Sequence, residues 1–286
     1  MKAVVIGSTG QLGQDLMRAF GEEAVGLSHQ DLDVTDGVGV ASAIHSLRPE
    51  WVLNSAAFHR VDECEVNPAL AFAVNALGAF NVARAASDVG AGIVFFSTDY
   101  VFGGEQRERG NPYEEGDDVW PLNVYGISKA AGEQLVMQAN PRHVVVRSAG
   151  LYGTSTSRKG WTFPELMINK SRNDGLVRVV TDQALSPTFT ADLAQKTKEL
   201  LERDASGLFH LTNAGECSWF EFARATFDLA GVEVEMERIE TGATQRRARR
   251  PSYSALKTTR VEEAGVSPMR PWREALGAYL RAKGLD

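Results

Sequence analysis

Cysteine is nearly absent from this sequence of 286 residues, and the sequence also lacks a long apolar run and an excess of positive charge. The two cysteines, Cys64 and Cys217, are too few for a disulfide framework, which favours a reducing compartment and predicts a cytoplasmic protein. No run of eighteen apolar residues occurs and no basic segment precedes an apolar one, so neither a membrane partner nor a leader peptide is expected. The formal net charge of −7 argues against nucleic acid as the main partner.

The remaining composition is that of an ordinary globular protein. Hydrophobic residues make up 43% of the chain and charged residues 23%, which is enough apolar material for a substantial core. The length corresponds to one large domain, or to a main domain with a smaller second lobe. The sequence contains no internal repeats and no low-complexity segments.

A glycine-rich turn follows the first apolar run, Lys2–Ile6, and precedes apolar residues at helical spacing. In this strand–turn–helix context Gly7 permits the tight turn, Gly10 lets the backbone approach a pyrophosphate, and Gly13 lets the helix pack against the sheet. A helix N-terminus offers free N–H groups and the positive end of a dipole. We therefore expect this turn to bind the phosphates of a dinucleotide; the alternative is a plain structural turn.

Further strands are predicted where short apolar runs alternate with helical patterns: Ala24–Leu27, Trp51–Asn54, Gly92–Phe96 and Val144–Arg147. This rhythm predicts an α/β fold with a Rossmann-type, doubly wound parallel sheet, whose ligands bind beyond the carboxyl ends of the strands. After Gly153 the pattern loosens. Residues 1–153, with return segments around 177–205, are expected to form a dinucleotide-binding domain. Residues 154–176 and 206–286 are expected to form a smaller C-terminal substrate-binding lobe.

The end of the second strand bears on the choice of cofactor. An acidic residue there would grip the ribose 2′-hydroxyl of NAD, whereas Ser28 leaves room for a 2′-phosphate but has no arginine beside it. The choice between NADH and NADPH stays open, with NADPH slightly favoured. Asp33 with Val34 either lies beside the adenine or begins the turn before the next helix.

Small residues after the third strand, including Ala56 and Ala57, would let a cofactor lie across the strand end. The cluster of possible metal ligands that follows matches no standard spacing, and acids near a helix start are favoured by the dipole anyway. It consists of His59, Asp62, Glu63, Cys64 and Glu65. No metal site is predicted.

Three residues supply the groups that carbonyl reduction needs. Thr98 follows the fourth strand, and Tyr125 and Lys129 are one turn apart on one face of a predicted helix. The hydroxyl would bind the carbonyl oxygen, and the phenol would protonate the alkoxide. Lys129 would lower the pKa of Tyr125 and hold the nicotinamide ribose. The tyrosine–lysine spacing alone is a weak motif, so the hypothesis depends on the combination with the glycine turn.

These segments resemble the extended short-chain dehydrogenase/reductase family and, within it, the dTDP-4-dehydrorhamnose reductases. The matching segments span nearly the whole chain: Gly7–Gly13, Ser97–Phe102, Pro121–Lys129, Arg249–Ser254 and Pro271-Trp272, among others. The resemblance implies reduction, with NADPH or NADH, of the 4-keto group of dTDP-4-dehydro-L-rhamnose to dTDP-L-rhamnose. It also implies Thr98, Tyr125 and Lys129 as the catalytic residues.

The resemblance assigns binding residues as well. The cofactor would be lined by Gln11, Leu12, Ser28, Asp33, Val34, Ala57, Phe58, His59 and Phe96. The sugar would contact Thr98, Asp99 and Tyr100, while Arg250 and Tyr253 would lie near the nucleotide diphosphate, where guanidinium groups suit phosphate oxygens. Binding is expected more of Arg250 than of Arg246 or Arg247, and a solvated basic face is the alternative for this cluster.

Two positions depart from the family pattern or match it weakly. Gly150 is a candidate substrate contact but stands where some members have a sugar-contacting tryptophan, which leaves the identity of the sugar open. Some members bind magnesium across a homodimer; Asp15 corresponds to one of the acids too weakly to predict a metal, and the oligomeric state stays open.

Three alternatives accompany this interpretation. The first is a reductase of a different nucleotide-linked 4-keto-deoxysugar. The second is a sugar-nucleotide dehydratase or epimerase, although dehydratases carry an Asp-Glu pair after the threonine and this chain has Asp99-Tyr100. The third is a non-catalytic regulatory subunit like that of methionine adenosyltransferase, which shares the fold and many of the motifs.

Overall fold

Short buried strands alternate with longer helices through the first half of the chain, in a computed structural model that describes residues 1–104, 110–155 and 160–286. The strands, in chain order, are β1 Ala3–Ile6, β2 Ala24–Leu27, β3 Trp51–Asn54, β4 Gly92–Phe96, β5 His143–Arg147, β6 Leu151–Tyr152, β7 Leu176–Val180, β8 Ala184–Leu185, β9 Thr188–Phe189, β10 Gly207–His210, β11 Cys217–Ser218 and β12 Glu235–Ile239. The α-helices are α1 Gln11–Phe20, α2 Gly37–Leu47, α3 Val61–Val66, α4 Pro68–Phe72, α5 Ala79–Asp88, α6 Val124–Ala139, α7 Phe163–Asp174, α8 Thr190–Glu202, α9 Trp219–Leu229, α10 Thr259–Glu263 and α11 Trp272–Lys283.

Six of these strands form the central sheet, in the order β10-β5-β4-β3-β1-β2. All neighbouring pairs are parallel. Because β1 has β2 on one side and β3 on the other, the winding reverses at β1 and leaves a crevice beyond the carboxyl ends of the strands. This confirms the predicted doubly wound parallel sheet.

Helices cover both faces of the sheet, as expected for strands that are apolar on both sides. On one face Val5 packs in a core with Leu16 of α1 and Leu193 of α8. On the other face Val4 packs in a core with Ile44 of α2, together with apolar residues of α5. Alternate residues of one strand therefore hold two helical layers in place.

A continuous helical segment from Pro68 to Asp88 runs through α4, a π-helical stretch, Ala73–Gly78, and α5. It is long and apolar enough to cross a membrane by length and composition alone, with a mean hydropathy of 1.3, and half of that stretch is buried inside the protein. Its α5 part packs on α2, α6, β3 and β4. The segment therefore has the packing of a core helix that covers the sheet.

The second half of the chain builds smaller units above the strand ends. β7 pairs in parallel with β12, and α7 and α9 pack against β7. Tyr152, Phe189, Phe222 and Tyr279 form an aromatic core that ties this region to α11. These units surround the crevice of the central sheet.

Two strands lie elsewhere than the sequence indicated. Gly207–His210, expected in the lobe, pairs with β5 at the edge of the central sheet. Leu176–Val180, expected to return to that sheet, pairs with β12 instead. In this strand Val177 and Val179 are buried, and Arg178 between them is exposed. This pattern suits a sheet with one solvent-exposed face. Helix α8 does return, since it packs on α1.

Candidate active site

The glycine turn has the close contacts that a phosphate-binding turn requires. Gly7 has a φ of +81°, and a Cβ there would lie 3.0 Å from the backbone nitrogen of Ala56 and from Oγ of Ser55. A Cβ at Gly13 would lie 2.2 Å from the carbonyl oxygen of Gly7. Gly10 is the N-cap of α1, and no side-chain hydrogen bond caps this helix among the described residues. The first N–H groups of α1 are therefore available to an anion, which fits the pyrophosphate of a dinucleotide.

A cavity of about 1030 Å³ opens at the carboxyl ends of the central strands. Most of the residues predicted from sequence line it: Gly7, Gly10, Gln11, Leu12, Gly13, Asp33, Val34, Ala56, Ala57, Phe58, His59, Phe96, Thr98, Asp99, Tyr100, Tyr125, Lys129 and Gly150. The glycine turn and the three candidate catalytic residues thus share one cavity, although 91 residues separate Gly7 from Thr98 along the chain.

Helix α6 positions Tyr125 in its first turn. Asn123 caps the helix, with its side-chain oxygen accepting a hydrogen bond from the Gly126 backbone N–H at 2.9 Å. A Cβ at Gly126 would lie 2.1 Å from the carbonyl oxygen of Tyr100, so glycine lets the helix start lie against the segment after β4. The rings of Tyr100 and Tyr125 meet edge to face, with their centroids 6.2 Å apart.

The protonation of Tyr125 differs from the sequence-based expectation. Burial raises the pKa of Tyr125 above its usual range, and a hydrogen bond with Thr98 acts in the opposite direction. The net change is therefore opposite to the lowering expected from Lys129, because desolvation of the phenolate dominates. A phenol with a high pKa remains protonated at neutral pH and is available as a donor.

Lys129 is 1% exposed, and its ammonium points into the protein. Its Nζ donates to the carbonyl oxygen of Phe96 at 2.6 Å and lies 3.9 Å from the centre of the Phe95 ring. Burial lowers the pKa of Lys129 to about 7, while the charge of Glu133 opposes that change. The charge of Lys129 therefore changes near neutral pH.

Asp99 is a second titratable group at the cavity wall. One carboxylate oxygen accepts from the Thr98 hydroxyl at 3.0 Å and the other from the Ser254 hydroxyl at 2.6 Å. Burial raises the pKa of Asp99 to about 6 against the effect of these hydrogen bonds. Asp99 thereby orients Thr98 and joins it to the C-terminal part of the chain.

The backbone conformation at position 150 favours glycine. Its φ is +53°, and a Cβ would come within 2.6 Å of the Leu185 side chain. A tryptophan at this position would be strained and crowded. The cavity next to Gly150 is therefore bounded by Leu185 and Leu151 rather than by an aromatic ring.

Three predicted residues are not among those that line the cavity: Ser28, Arg250 and Tyr253. The Ser28 hydroxyl donates to Asp31 at 2.6 Å, and the Tyr253 hydroxyl donates to Glu216. Arg250 has a 9% exposed side chain and pairs with Asp62 at 2.9 Å. Arg250 also lies over the Tyr100 ring, with 5.9 Å between the guanidinium carbon and the ring centroid, and its expected contact with the nucleotide diphosphate stays a prediction.

Sequence reasoning missed several cavity-lining residues from the second half of the chain. They include three cationic side chains and two tryptophans: Lys170, Arg178, Arg246, Trp161 and Trp219. They come from α7, β7, α9 and loops that are distant in sequence, so no local motif joins them. Arg246 lines the cavity and Arg250 does not, and the Asp62 that pairs with Arg250 lies 188 residues from it in the sequence.

Among the described residues no group of three or more His, Cys, Asp or Glu side chains could hold a metal ion. The acidic residues that follow β3 are used in other contacts. Asp62 binds Arg250, Glu63 binds Arg60, and Glu65 accepts from the Val124 backbone N–H at the start of α6.

Comparison with known proteins gives consistent matches along almost the entire chain. The family model described as the RmlD substrate binding domain matches residues 1–284. A dTDP-4-dehydrorhamnose reductase of Streptomyces griseus is 40% identical, covering 96% of this chain and 91% of that protein. A dTDP-4-keto-6-deoxy-D-glucose reductase of Streptomyces niveus is 38% identical, covering 96% and 94%. The crystal structure of a dTDP-4-dehydrorhamnose reductase from Bacillus anthracis in complex with NADP has a TM-score of 0.92 and 35% identity, covering 98% of this chain and 99% of that one.

Proposed function

The chain belongs to the RmlD substrate-binding family of the extended short-chain dehydrogenase/reductases, and from this we infer that it is an NAD(P)H-dependent reductase. Its reaction is reduction of the 4-keto group of dTDP-4-dehydro-L-rhamnose to dTDP-L-rhamnose, a step of nucleotide-sugar biosynthesis. The observation that carries this function is the meeting of Thr98, Tyr125 and Lys129 with the glycine turn in one cavity.

The residues of the crevice fit a dinucleotide. The uncapped N–H groups of α1 would bind a pyrophosphate, and the Gly7 and Gly13 contacts leave no room for side chains. Ala56, Ala57 and Phe96 would support the nicotinamide half, with Asp33 and Val34 at the adenine end. When bound, the reduced dinucleotide supplies the hydride that the carbonyl carbon accepts.

The chain's own groups manage the proton and the oxygen. The single hydroxyl proton of Thr98 is donated to Asp99 in this structure, and with substrate bound the hydroxyl would turn and donate that proton to the substrate carbonyl oxygen instead. Tyr125 donates its proton to the same oxygen as the C–H bond forms, so that a ketone becomes a secondary alcohol and Tyr125 a phenolate. The Lys129 ammonium would stabilise that phenolate and would hold the ribose of the dinucleotide.

The nucleotide part of the substrate would extend toward the cavity-lining residues from the second half of the chain. Arg246 and Lys170 suit phosphate oxygens, and Trp161 and Trp219 suit a base. We assign dinucleotide binding to residues 1–153 together with α8 and β10, and substrate binding to the remaining segments after residue 153. This division modifies the sequence-based boundaries by moving β7 to the lobe and β10 to the sheet.

A reductase of another dTDP-linked 4-keto sugar is the alternative that a specific observation favours. The Streptomyces niveus relative is named for dTDP-4-keto-6-deoxy-D-glucose and is nearly as similar as the rhamnose enzymes. The Leu185 side chain fills the space beside Gly150, so the wall at this position differs from that of family members with a tryptophan there. A regulatory subunit without activity is disfavoured because Thr98, Tyr125 and Lys129 are all present in the cavity.

The test is to supply the purified chain with dTDP-4-dehydro-L-rhamnose and to follow NADPH and NADH oxidation at 340 nm. The product is identified by chromatography and NMR, with dTDP-4-keto-6-deoxy-D-glucose as the competing substrate. We expect turnover with the rhamnose precursor. A higher kcat/KM for the glucose-derived ketone would establish the alternative, and no turnover with either would contradict a reductase. We propose that the enzyme is cytoplasmic. Light scattering on the same preparations would measure the oligomeric state and show whether the chain forms a homodimer.

A further inference from the structure

Lys129 has an unusual environment for a residue that must carry a charge. It is almost fully buried, and its Nζ has the Phe96 carbonyl oxygen and the face of the Phe95 ring as close partners. Neither partner carries a negative charge, and burial favours the neutral amine. A stabilised ammonium at this position therefore requires a negative charge nearby.

Glu133 supplies that charge from one turn further along α6. Its side chain is fully buried, and positions i and i+4 share one face of a helix. Oε1 of Glu133 accepts from Nε of Arg147 at 2.9 Å, and Oε2 accepts from Nη2 at 2.6 Å. The Ser97 hydroxyl also donates to Oε1, at 2.5 Å. The carboxylate thus accepts three hydrogen bonds, two of them from a guanidinium group.

The same contacts connect Glu133 to the backbone that holds Lys129. Ser97 lies between Phe96, whose carbonyl oxygen accepts from Lys129, and Thr98. A bond from Ser97 to Glu133 therefore fixes the end of β4 against α6. Any shift of Glu133 would move the acceptor of Lys129 and the hydroxyl of Thr98 together.

We propose that Glu133 is a positioning residue of the active site, whose buried carboxylate, clamped by Ser97 and Arg147, keeps Lys129 protonated and directed at the end of β4. The proposal rests on the proposed function, because it gives Lys129 a charged role. A purely structural pair joining α6 to β5 is the competing explanation, and the two differ in what they predict for the charge of Lys129.

The charged and titratable groups around Lys129 come from several elements. Tyr125 and Glu133 are on its own helix, Asp99 follows β4, Arg147 is on β5, and His210 is on β10. Burial, together with the charge of Arg147, lowers the pKa of His210 to about 3, so His210 is neutral in the relevant range. Asp99 titrates close to Lys129, and a rate profile would mix the two groups. The charge of Lys129 must therefore be observed directly.

The experiment is a pH titration of the chain labelled with ¹³C at lysine Cε, followed by NMR without substrate or cofactor. Loss of one signal in Lys129→Met assigns the resonance. In Glu133→Gln, we expect the midpoint of Lys129 to move to lower pH by about one unit or more, since the anion that favours the ammonium is gone. In Arg147→Gln, we expect it to move to higher pH, because a repelling cation is removed. Glu133→Asp should restore most of the wild-type midpoint.

Asp192→Asn is the matched control. Asp192 accepts two hydrogen bonds from Arg270, at 2.6 and 2.8 Å, in the same bidentate arrangement but on α8. It should lower stability and leave the Lys129 midpoint unchanged. Shifts of the same sign in Glu133→Gln and Arg147→Gln, no shift in either, or an equal shift in Asp192→Asn would overturn the proposal. If Glu133→Gln does not fold, the other two variants test the proposal: the Lys129 midpoint should move to higher pH in Arg147→Gln and stay near the wild-type value in Glu133→Asp.

The titration is independent of turnover, so the two hypotheses fail separately. A chain that reduces no sugar but shows opposite shifts keeps the electrostatic part of the proposal and loses its catalytic meaning. A working reductase without opposite shifts keeps its function and loses this role for Glu133.

Discussion

Replacement of Lys129 by methionine should make the cofactor-free protein more stable at neutral pH while removing its activity. Methionine has a similar length and no charge, so it fills the same buried space next to the Phe95 ring. The gain follows from the unfavourable burial of the ammonium, and it should depend on pH in a way that no packing effect would.

The magnitude follows from the pKa of Lys129, which falls from 10.5 to about 7 on folding. Each pKa unit corresponds to about 1.4 kcal/mol, so the buried lysine destabilises the folded state by roughly 5 kcal/mol. This penalty is fully present below pH 7, where both states are protonated, and disappears as the pH rises through 10.5. Losing the hydrogen bond to the Phe96 carbonyl oxygen costs about 1–3 kcal/mol at every pH.

Together, the two contributions make the stability difference between Lys129→Met and the wild type change sign with pH. At pH 6 Lys129→Met should be more stable than the wild type by about 2–4 kcal/mol, and near pH 11 less stable by about 1–3 kcal/mol. Urea unfolding of both proteins, stripped of nucleotide, at several pH values measures the difference and cancels the other titrating groups. A Lys129→Met protein that is less stable at pH 6, or a difference independent of pH, would refute the reasoning.

The remaining predictions concern the other parts of the site. Tyr125→Phe should lower kcat by about 10²–10⁴ because the proton donor is lost, while the Kd for NADPH, measured by fluorescence, changes by only a few fold; normal turnover would contradict its role. Gly13→Ala should abolish dinucleotide binding or folding, as seen by calorimetry and circular dichroism, since its Cβ would meet the Gly7 carbonyl oxygen at 2.2 Å. Arg246→Ala should raise KM for the nucleotide sugar by about 10- to 150-fold with kcat nearly unchanged, as a charge-assisted hydrogen bond is worth about 1.5–3 kcal/mol. Arg250→Ala, its control, should instead lower the unfolding temperature, and the reverse pattern would place Arg250 in the substrate site.

Much of the cofactor half of the site could be predicted because its chemistry is local. The three glycines of the turn lie within seven residues, and Tyr125 and Lys129 are one helical turn apart. Such spacings determine backbone geometry directly, and the sheet then brings the ends of β1 and β4 to one edge. The doubly wound sheet and the membership of the reductase family are confirmed, while the role of each site residue stays a prediction.

The substrate half could not be predicted in the same way. Asp62 pairs with Arg250, and this long-range contact separates Arg250 from the neighbouring Arg246, which lines the cavity. The sheet that β7 or β10 joins depends on a partner strand about sixty residues later or earlier in the chain. The sequence of a short strand does not name its partner, although the exposed Arg178 of β7 suits a sheet with one solvent-exposed face. Only the competition of all segments for the same edges decides this.

By itself, the sequence determined the reaction: a glycine turn, a threonine at a strand end and a tyrosine–lysine pair specify a dinucleotide and a carbonyl, because each motif is short and its geometry follows from covalent spacing. The tertiary structure alone decided the electrostatics. Lys129 loses its solvent only when α6 packs on the end of β4, and Glu133 and Arg147 become a pair only when α6 packs against β5. Burial and long-range charge are properties of the packed chain, and they set the protonation on which the proposed chemistry depends.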